Sequence, residues 1–280
     1  MKTAVITGAN SGIGLATAKK LEQLGYRQIW LVRNIEKTQQ IFIKERFHTL
    51  VTLIECDLAD MQSVKRAAEK LMNVPKIDVL INNAGEIFDE KKYTKDGFEL
   101  TFATNYLGHY MLTNLIMDKL LESKSRVIFL SSEGYRLGTM NLEELAFRKK
   151  SFIALKVYGD VKLAIMNFMY DLHRKYAAQG LSVYALHPGV VDTDFAKNKK
   201  MSIKLLNMLM KPFLITPEKA AELPVYLATE PDIEKLSGSY FKDGNPVKIG
   251  DKVTNPKQAK ALMEFSEKLV KPFLAEKVDY

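Results

Sequence analysis

Tyr158 and Lys162 stand four residues apart, a spacing that puts both on one face of a helix. A free phenol loses its proton near pH 10 and supplies little phenolate at neutral pH. An ammonium group beside it favours the phenolate and lowers that value. Such a pair can exchange a proton with a substrate oxygen. Upstream, after an apolar run, lies the doublet Ser131-Ser132, and either hydroxyl could donate a hydrogen bond to the same oxygen. The chain is rich in lysine and has 12 tyrosines, so one such pair is expected by chance. A surface helix with a lysine and a half-buried tyrosine is the plain alternative, and the information lies in where the pair falls.

A second constellation opens the chain. An apolar run ends in Thr7-Gly8-Ala9-Asn10-Ser11-Gly12-Ile13-Gly14, and a helical pattern follows. Glycines at such a turn let the backbone approach a pyrophosphate, and the helix start supplies free N–H groups and a positive dipole end. The strand before and the helix after separate this reading from a glycine-rich turn without a ligand. The next strand ends Leu31-Val32-Arg33-Asn34, with no acidic residue between Gln28 and Ile35. A fold that prefers NAD places Asp or Glu there for the ribose 2′-hydroxyl, whereas Arg can pair with a 2′-phosphate. Arg33 therefore favours NADP, against the alternative of a solvated surface arginine.

The elements that must position these groups alternate. Short apolar or β-branched runs at Ala4–Thr7, Gln28–Val32, Val51–Glu55, Val79–Asn82, Val127–Ser131 and Ser182–Leu186 read as strands. Helical spacing covers Ile13–Leu24, closed by Gly25, then Gln62–Met72, Asn105–Glu122 and Ser151–Tyr176. Continuous apolar strands alternating with helices predict a parallel sheet covered on both faces. This is a doubly wound, Rossmann-type α/β fold. With no repeat, low-complexity stretch or Gly/Ser linker, residues 1–280 read as one domain.

The order of these motifs resembles the short-chain dehydrogenase/reductase family. Its elements here are the Gly-x-x-x-Gly-x-Gly turn, Asn82-Asn83-Ala84-Gly85, Asn105, Ser132, Tyr158-x-x-x-Lys162, and Pro188-Gly189 with Thr193. The likeness covers nearly the whole chain. It implies that Ser132, the second serine of its doublet, orients the reacting oxygen. It further implies that Tyr158 exchanges the proton as hydride moves, and that Lys162 also reaches the nicotinamide ribose. Asn105 would hold a water on a proton path behind Lys162; fixing a helix kink is its plain alternative. The cofactor site it implies comprises Gly8, Asn10, Ser11, Gly12, Ile13, Gly14 and Arg33. Asp57 would meet the adenine, with Leu58 beside it; capping the following helix is the alternative for Asp57. Asn83, Ala84 and Gly85 would line the adenosine ribose, and Pro188, Gly189, Val191 and Thr193 the nicotinamide. Many NADP-preferring relatives carry a second basic residue in the glycine turn, where this chain has Asn10-Ser11. His187 reads as structural, and no metal site is expected.

Two departures from the compact family pattern bear on substrate. Ser132 and Tyr158 lie 26 positions apart, about twice the family's shortest spacing. The extra segment, 134–151, reads as a short amphipathic element beside the substrate cleft. Residues 195–216 form an acid-free, Met-rich stretch with Lys197, Lys199, Lys200, Lys204 and Lys211. This stretch is expected to be a lid over a lipophilic aldehyde or ketone. A packed helix, or one touching a membrane surface through 197–215, are its alternatives. Thr216-Pro217-Glu218 and Ser237-Gly238-Ser239-Tyr240-Phe241 resemble the retinol dehydrogenase branch. A last amphipathic helix after Asn255-Pro256, stopped by Pro272, reads as packing.

Composition narrows the remaining classes. The net charge is +8, and five of those charges sit in the 195–216 stretch. Basic and aromatic residues are not interleaved, so a nucleic-acid partner is not expected. The single Cys56 permits no internal disulfide. An apolar strand begins within three residues of Met1, leaving no room for a signal peptide, and a cytoplasmic protein is expected. The leading expectation is an NADP-dependent oxidoreductase acting on a small lipophilic carbonyl or its alcohol, as a monomer or homodimer. The alternatives are a non-catalytic NADP(H)-binding regulatory protein and, less well matched by the glycine spacing, a nucleotide-sugar epimerase or dehydratase.

Overall fold

In the computed structural model, residues 1–47, 51–191 and 214–274 are described. Six strands follow the apolar runs closely: β1 (Thr3–Thr7), β2 (Arg27–Val32), β3 (Val51–Glu55), β4 (Val79–Asn82), β5 (Arg126–Leu130) and β6 (Ser182–His187). β1 is buried along its whole length, as a strand covered on both faces must be. The sheet order is β3-β2-β1-β4-β5-β6, all parallel. The sheet continues through β9 (Tyr240–Lys242), parallel to β6, and β10 (Asn245–Val247), antiparallel to β9. The strand order reverses between β1 and β4. In such sheets the ligand crevice lies at that point, outside the carboxyl ends of the strands.

Helices cover both faces. α1 (Gly12–Gln23) and α2 (Ile35–Lys44) lie on one side, where Trp30, Ile6, Leu21 and Tyr184 share a core. α3 (Met61–Met72), α5 (Gly108–Leu115) and α8 (Ala154–Tyr176) lie on the other, around Leu80, Phe102, Phe129 and Phe168. The C-terminal helix Pro256–Leu274 closes that second layer over α3 and α8. Tyr106 and Ser266 hydrogen-bond at 2.8 Å across that contact.

Two expectations change. The stretch Asn105–Glu122 is not one helix. A short α4 (Leu100–Phe102) passes into a π-turn, Ala103–Leu107, then α5, then a break at Ile116 before α6 (Met117–Glu122). Pro272 does not stop the last helix, which runs to Leu274. The carbonyl the proline leaves without a partner belongs to Lys268, which is exposed, so water can satisfy it. The 134–151 segment forms a 3₁₀ turn, Glu133–Leu137, and α7 (Leu142–Phe147). α7 packs into the second layer: Leu145 and Ala146 are buried, and Phe147 meets Phe98 and Phe265. Arg148 pins it to α8, its guanidinium 3.8 Å from the Asp160 carboxylate.

Candidate active site

The turn after β1 is shaped by close approach. Gly8 and Gly12 have φ of +65° and +50°, which side chains other than glycine rarely adopt. A Cβ on Gly14 would lie 2.3 Å from the Gly8 carbonyl oxygen. The turn thus brings its own backbone against the first turn of α1, with Ser11 at the N-cap and its side chain not capping the helix. The Asn10 amide reaches across to donate to the Thr38 hydroxyl of α2 (3.2 Å), which ties the turn to α2. Ile13 packs against the first core.

Arg33 follows β2 directly and is exposed. It sits beside the start of α2, whose N-cap Asn34 accepts from the Lys37 N–H at 2.8 Å. Lys37, which the sequence reading passed over, adds a second cation one turn away. An anion beside Arg33 would also face the positive end of α2. Asp57 does not cap α3; Asp60 does, accepting from Gln62 and Ser63 N–H. One Asp57 oxygen accepts from the Ala59 N–H (2.9 Å) in a local turn. Leu58 is buried, so only its backbone can face a nucleotide.

The loop after β4 is tied to the turn after β1. Asn83 and Ala84 N–H both donate to the Thr7 hydroxyl at 2.9 Å, and the Asn83 amide donates to the Thr7 carbonyl at 2.8 Å. A Cβ on Gly85 would lie 2.4 Å from the Asn105 amide oxygen and 3.8 Å from the Lys162 ammonium. Asn105 sits in the π-turn. Its amide donates to the Glu86 and Thr101 carbonyls and accepts from the Glu86 N–H at 2.7 Å. Its side chain therefore fastens the kink to the loop. Pro188 and Gly189 lead into β7 (Val190–Val191), which pairs with β8 (Leu214–Ile215). Thr193 and residues 195–213 of the expected lid lie outside the described residues.

Ser132, Tyr158 and Lys162 meet at the carboxyl end of β5. The Ser132 hydroxyl lies near the Tyr158 phenol, whose charged form it favours, and accepts from the Gly134 N–H at 3.2 Å. The buried Ser131 hydroxyl has no hydrogen-bond partner among the described residues. Lys162 is buried, donates to the Leu130 carbonyl at 2.7 Å, and lies 5.2 Å from the Tyr158 ring centre. The lysine does not figure among the influences on the phenol here. Burial dominates both groups: it pushes Tyr158 up to about 12 and Lys162 down to about 7. Each charge alone is disfavoured there.

Some groups near the site were not singled out by type or spacing. His109 on α5 is buried between Thr7 and Asn105. Glu133, next to Ser132, accepts from Tyr240 (3.0 Å) and Lys242 (3.4 Å), tying the turn after β5 to β9. A lone histidine on an apolar helix and a glutamate in a loop carry no signal of such contacts.

The residues present are of the kind that hold a dinucleotide: a glycine turn leading into the N-terminus of α1, at the end of β1 where the strand order reverses. A glycine turn after β1 and a Ser-Tyr-Lys cluster after β5, both at the carboxyl ends of the sheet strands, make the layout of an alcohol/carbonyl oxidoreductase. The short chain dehydrogenase family model matches residues 2–203, and the chain belongs to that family. It is 34% identical to retinol dehydrogenase 14 of Mus musculus, over 96% of this chain and 86% of that protein. It is 37% identical to polyprenol dehydrogenase of Homo sapiens, over 86% of this chain and 76% of that one. A crystal structure of an uncharacterised protein from Mycobacterium Paratuberculosis superposes with a TM-score of 0.79 at 32% identity, covering 97% of this chain and 94% of that chain. The similarity to the retinol dehydrogenases places the chain in that branch of the family, as Ser237–Phe241 suggests.

Proposed function

We propose that the chain interconverts a lipophilic aldehyde or ketone and its alcohol, using NADP(H), with Ser132, Tyr158 and Lys162 as the catalytic residues. The meeting of these three side chains at the end of β5 carries the proposal. The bound nicotinamide would supply or accept hydride; the chain's own residues manage the oxygen and its proton. The Ser132 hydroxyl donates to the substrate oxygen and fixes its place. Tyr158, kept neutral by burial, gives that oxygen its proton during reduction. As the phenolate forms, its charge raises the proton affinity of Lys162 nearby, so a proton taken up from water at Lys162 balances it and can then return Tyr158 to the phenol. Neither charge then stands alone in the buried site.

A lipophilic substrate is supported by the similarity to a retinol dehydrogenase and a polyprenol dehydrogenase and by the surface beside the site. Leu137 and Leu155 are 68% and 43% exposed. The Leu137 Cβ lies 3.6 Å from where a Cβ of Gly159 would stand, one turn beyond Leu155 on α8. Tyr158 is on the same stretch of helix, so the apolar rim adjoins the phenol.

NADP is supported by Arg33 and the adjoining start of α2. Replacing Arg33 with Ala removes a charge-assisted hydrogen bond to a 2′-phosphate, worth about 1.5–3 kcal/mol. The KM for NADPH is expected to rise by roughly 10- to 100-fold, with the KM for NADH nearly unchanged. Steady-state assays of both cofactors against aldehydes of increasing chain length check this. Equal effects on the two cofactors would contradict the phosphate role, and loss of preference for long chains would contradict the lipophilic substrate.

A further inference from the structure

His109 is 3% exposed and lies between two structures that the cofactor site depends on. Its Nδ1 is 3.0 Å from the Asn105 carbonyl oxygen, and its Nε2 is 2.9 Å from the Thr7 hydroxyl. A carbonyl only accepts, so Nδ1 must carry the proton. Burial holds the ring pKa down at about 4, so the ring is neutral at physiological pH and Nε2 accepts. The Thr7 hydroxyl must then donate to Nε2. Its oxygen is left to accept from Asn83 and Ala84 N–H, both at 2.9 Å. Its other acceptor within reach, the Ile81 carbonyl, is at 3.5 Å and much weaker.

The chain of bonds is continuous and every group in it is used. It runs from the Asn83 and Ala84 N–H groups through Thr7 and His109 to the Asn105 carbonyl in the π-turn. From Asn105 the side-chain amide closes back on Glu86. The loop between Asn82 and Ile87 is thus held at both ends. One end adjoins the Gly8–Gly14 turn and the other lies beside Lys162. An apolar residue of the same volume at position 109 would leave the Thr7 proton only the distant Ile81 carbonyl and would remove the side-chain bond to the Asn105 carbonyl.

We propose that His109 is a positioning residue for the cofactor site. As the Nδ1–H tautomer it couples the glycine turn, through Thr7, to the loop and π-turn beside Lys162. The proposal rests on the reading of the crevice as a dinucleotide site.

The test titrates NADPH onto the full chain by fluorescence, with kcat and KM measured alongside. Thr7→Val keeps the shape and removes the hydroxyl; Thr7→Ser keeps the hydroxyl; His109→Asn keeps a donor toward Asn105 and loses the acceptor for Thr7. Thr7→Val and His109→Asn are each expected to raise the NADPH Kd about tenfold, the cost of one buried, unpaired polar group. Thr7→Ser is expected to restore binding to near the parent. The double variant Thr7→Val/His109→Asn should bind no worse than the weaker single variant, because both break the same chain. Parent-like binding by His109→Asn, multiplying effects in the double variant, or failure of Ser to rescue would overturn the coupling. Nitrogen NMR of the parent decides the tautomer even if a variant does not fold: Nδ1 protonated and Nε2 bare at pH 7 supports the proposal, and the reverse pattern or an imidazolium refutes it. A parent that does not bind NADPH refutes the dinucleotide reading itself, whereas a parent that binds while the variants match it refutes only the role of His109.

Discussion

Replacing Tyr158 with Phe is expected to lower kcat for carbonyl reduction by about 10²–10⁴-fold, the usual contribution of a positioned acid or base, while NADPH binding stays within about twofold. The phenylalanine keeps the ring beside Gly134 and Lys162 and removes only the hydroxyl that meets Ser132. Substrate can still enter and hydride can still approach the carbonyl carbon. What is lost is the proton donor for the oxygen, so the developing negative charge falls on the Ser132 hydroxyl alone. The change should therefore appear in kcat and in kcat/KM together, the pattern of an interaction made in the transition state. Removing the Ser132 hydroxyl with Ala should cost less, because the phenol would still donate. Undiminished turnover in the Tyr158→Phe protein would show that the proton comes from elsewhere.

Lys162→Met is expected to abolish turnover and yet to stabilise the protein at neutral pH. Burial holds the Lys162 pKa at about 7 in the folded chain, against 10.5 for an ordinary lysine. Between those values the unfolded chain binds a proton that the folded chain does not. The stability contributed by this position therefore rises with pH from about 7 to about 10.5 and is poorest below 7. Methionine removes the desolvated amine but leaves the Leu130 carbonyl without its donor, which offsets part of the gain. A net gain of about 2 kcal/mol near pH 7, shrinking toward pH 10, is a reasonable magnitude. For a chain of this size that is a rise in Tm of roughly 4–8 °C. Thermal unfolding of both proteins at pH 7 and pH 10 measures it. A Tm that falls at pH 7, or a difference that does not change with pH, would contradict the electrostatic account of the buried lysine. This is the balance expected where a site holds a charge-bearing group for chemistry at the expense of the fold.

Much of this was legible before any coordinates. The six central strands are continuous apolar runs, and their bounds follow from local composition. The glycine turn was legible because it is defined by what it lacks: the Gly14 position admits no Cβ. The Tyr158 and Lys162 spacing needed only a helix. Ser132 separated from Ser131 only by resemblance, and the contact with Tyr158 then supplied the physical distinction.

What stayed hidden depends on distant partners. The π-turn at Ala103–Leu107 is fastened by Glu86, 19 residues away, and no periodicity within the helix reports it. The strand β9 is three residues long and gains its place from β6. Its Tyr240-Phe241 pair marks a family likeness and not a strand. The 134–151 segment does hold an amphipathic helix, but the sequence could not show that its apolar side meets Phe98 and Phe265. Above all, charge balance at the site could not be read from residue types. Lysine beside tyrosine suggests a lowered phenol pKa; the burial of Lys162 and its bond to the Leu130 carbonyl work on the ammonium as well, and only depth within the fold reveals that.

The central claim is that this chain moves hydride between a nicotinamide and a lipophilic carbonyl while Tyr158 supplies the proton. The most direct measurement uses NADPH carrying deuterium at one face of the nicotinamide C4, with a long-chain aldehyde in ordinary water. The alcohol product is analysed by mass spectrometry for the parent chain and for Tyr158→Phe. The account predicts one deuterium on the carbinol carbon from one of the two labelled forms, no label from the other, and product reduced by at least about 10²-fold in the variant. An alcohol without label from either form, or labelled alcohol at undiminished yield from Tyr158→Phe, would contradict it.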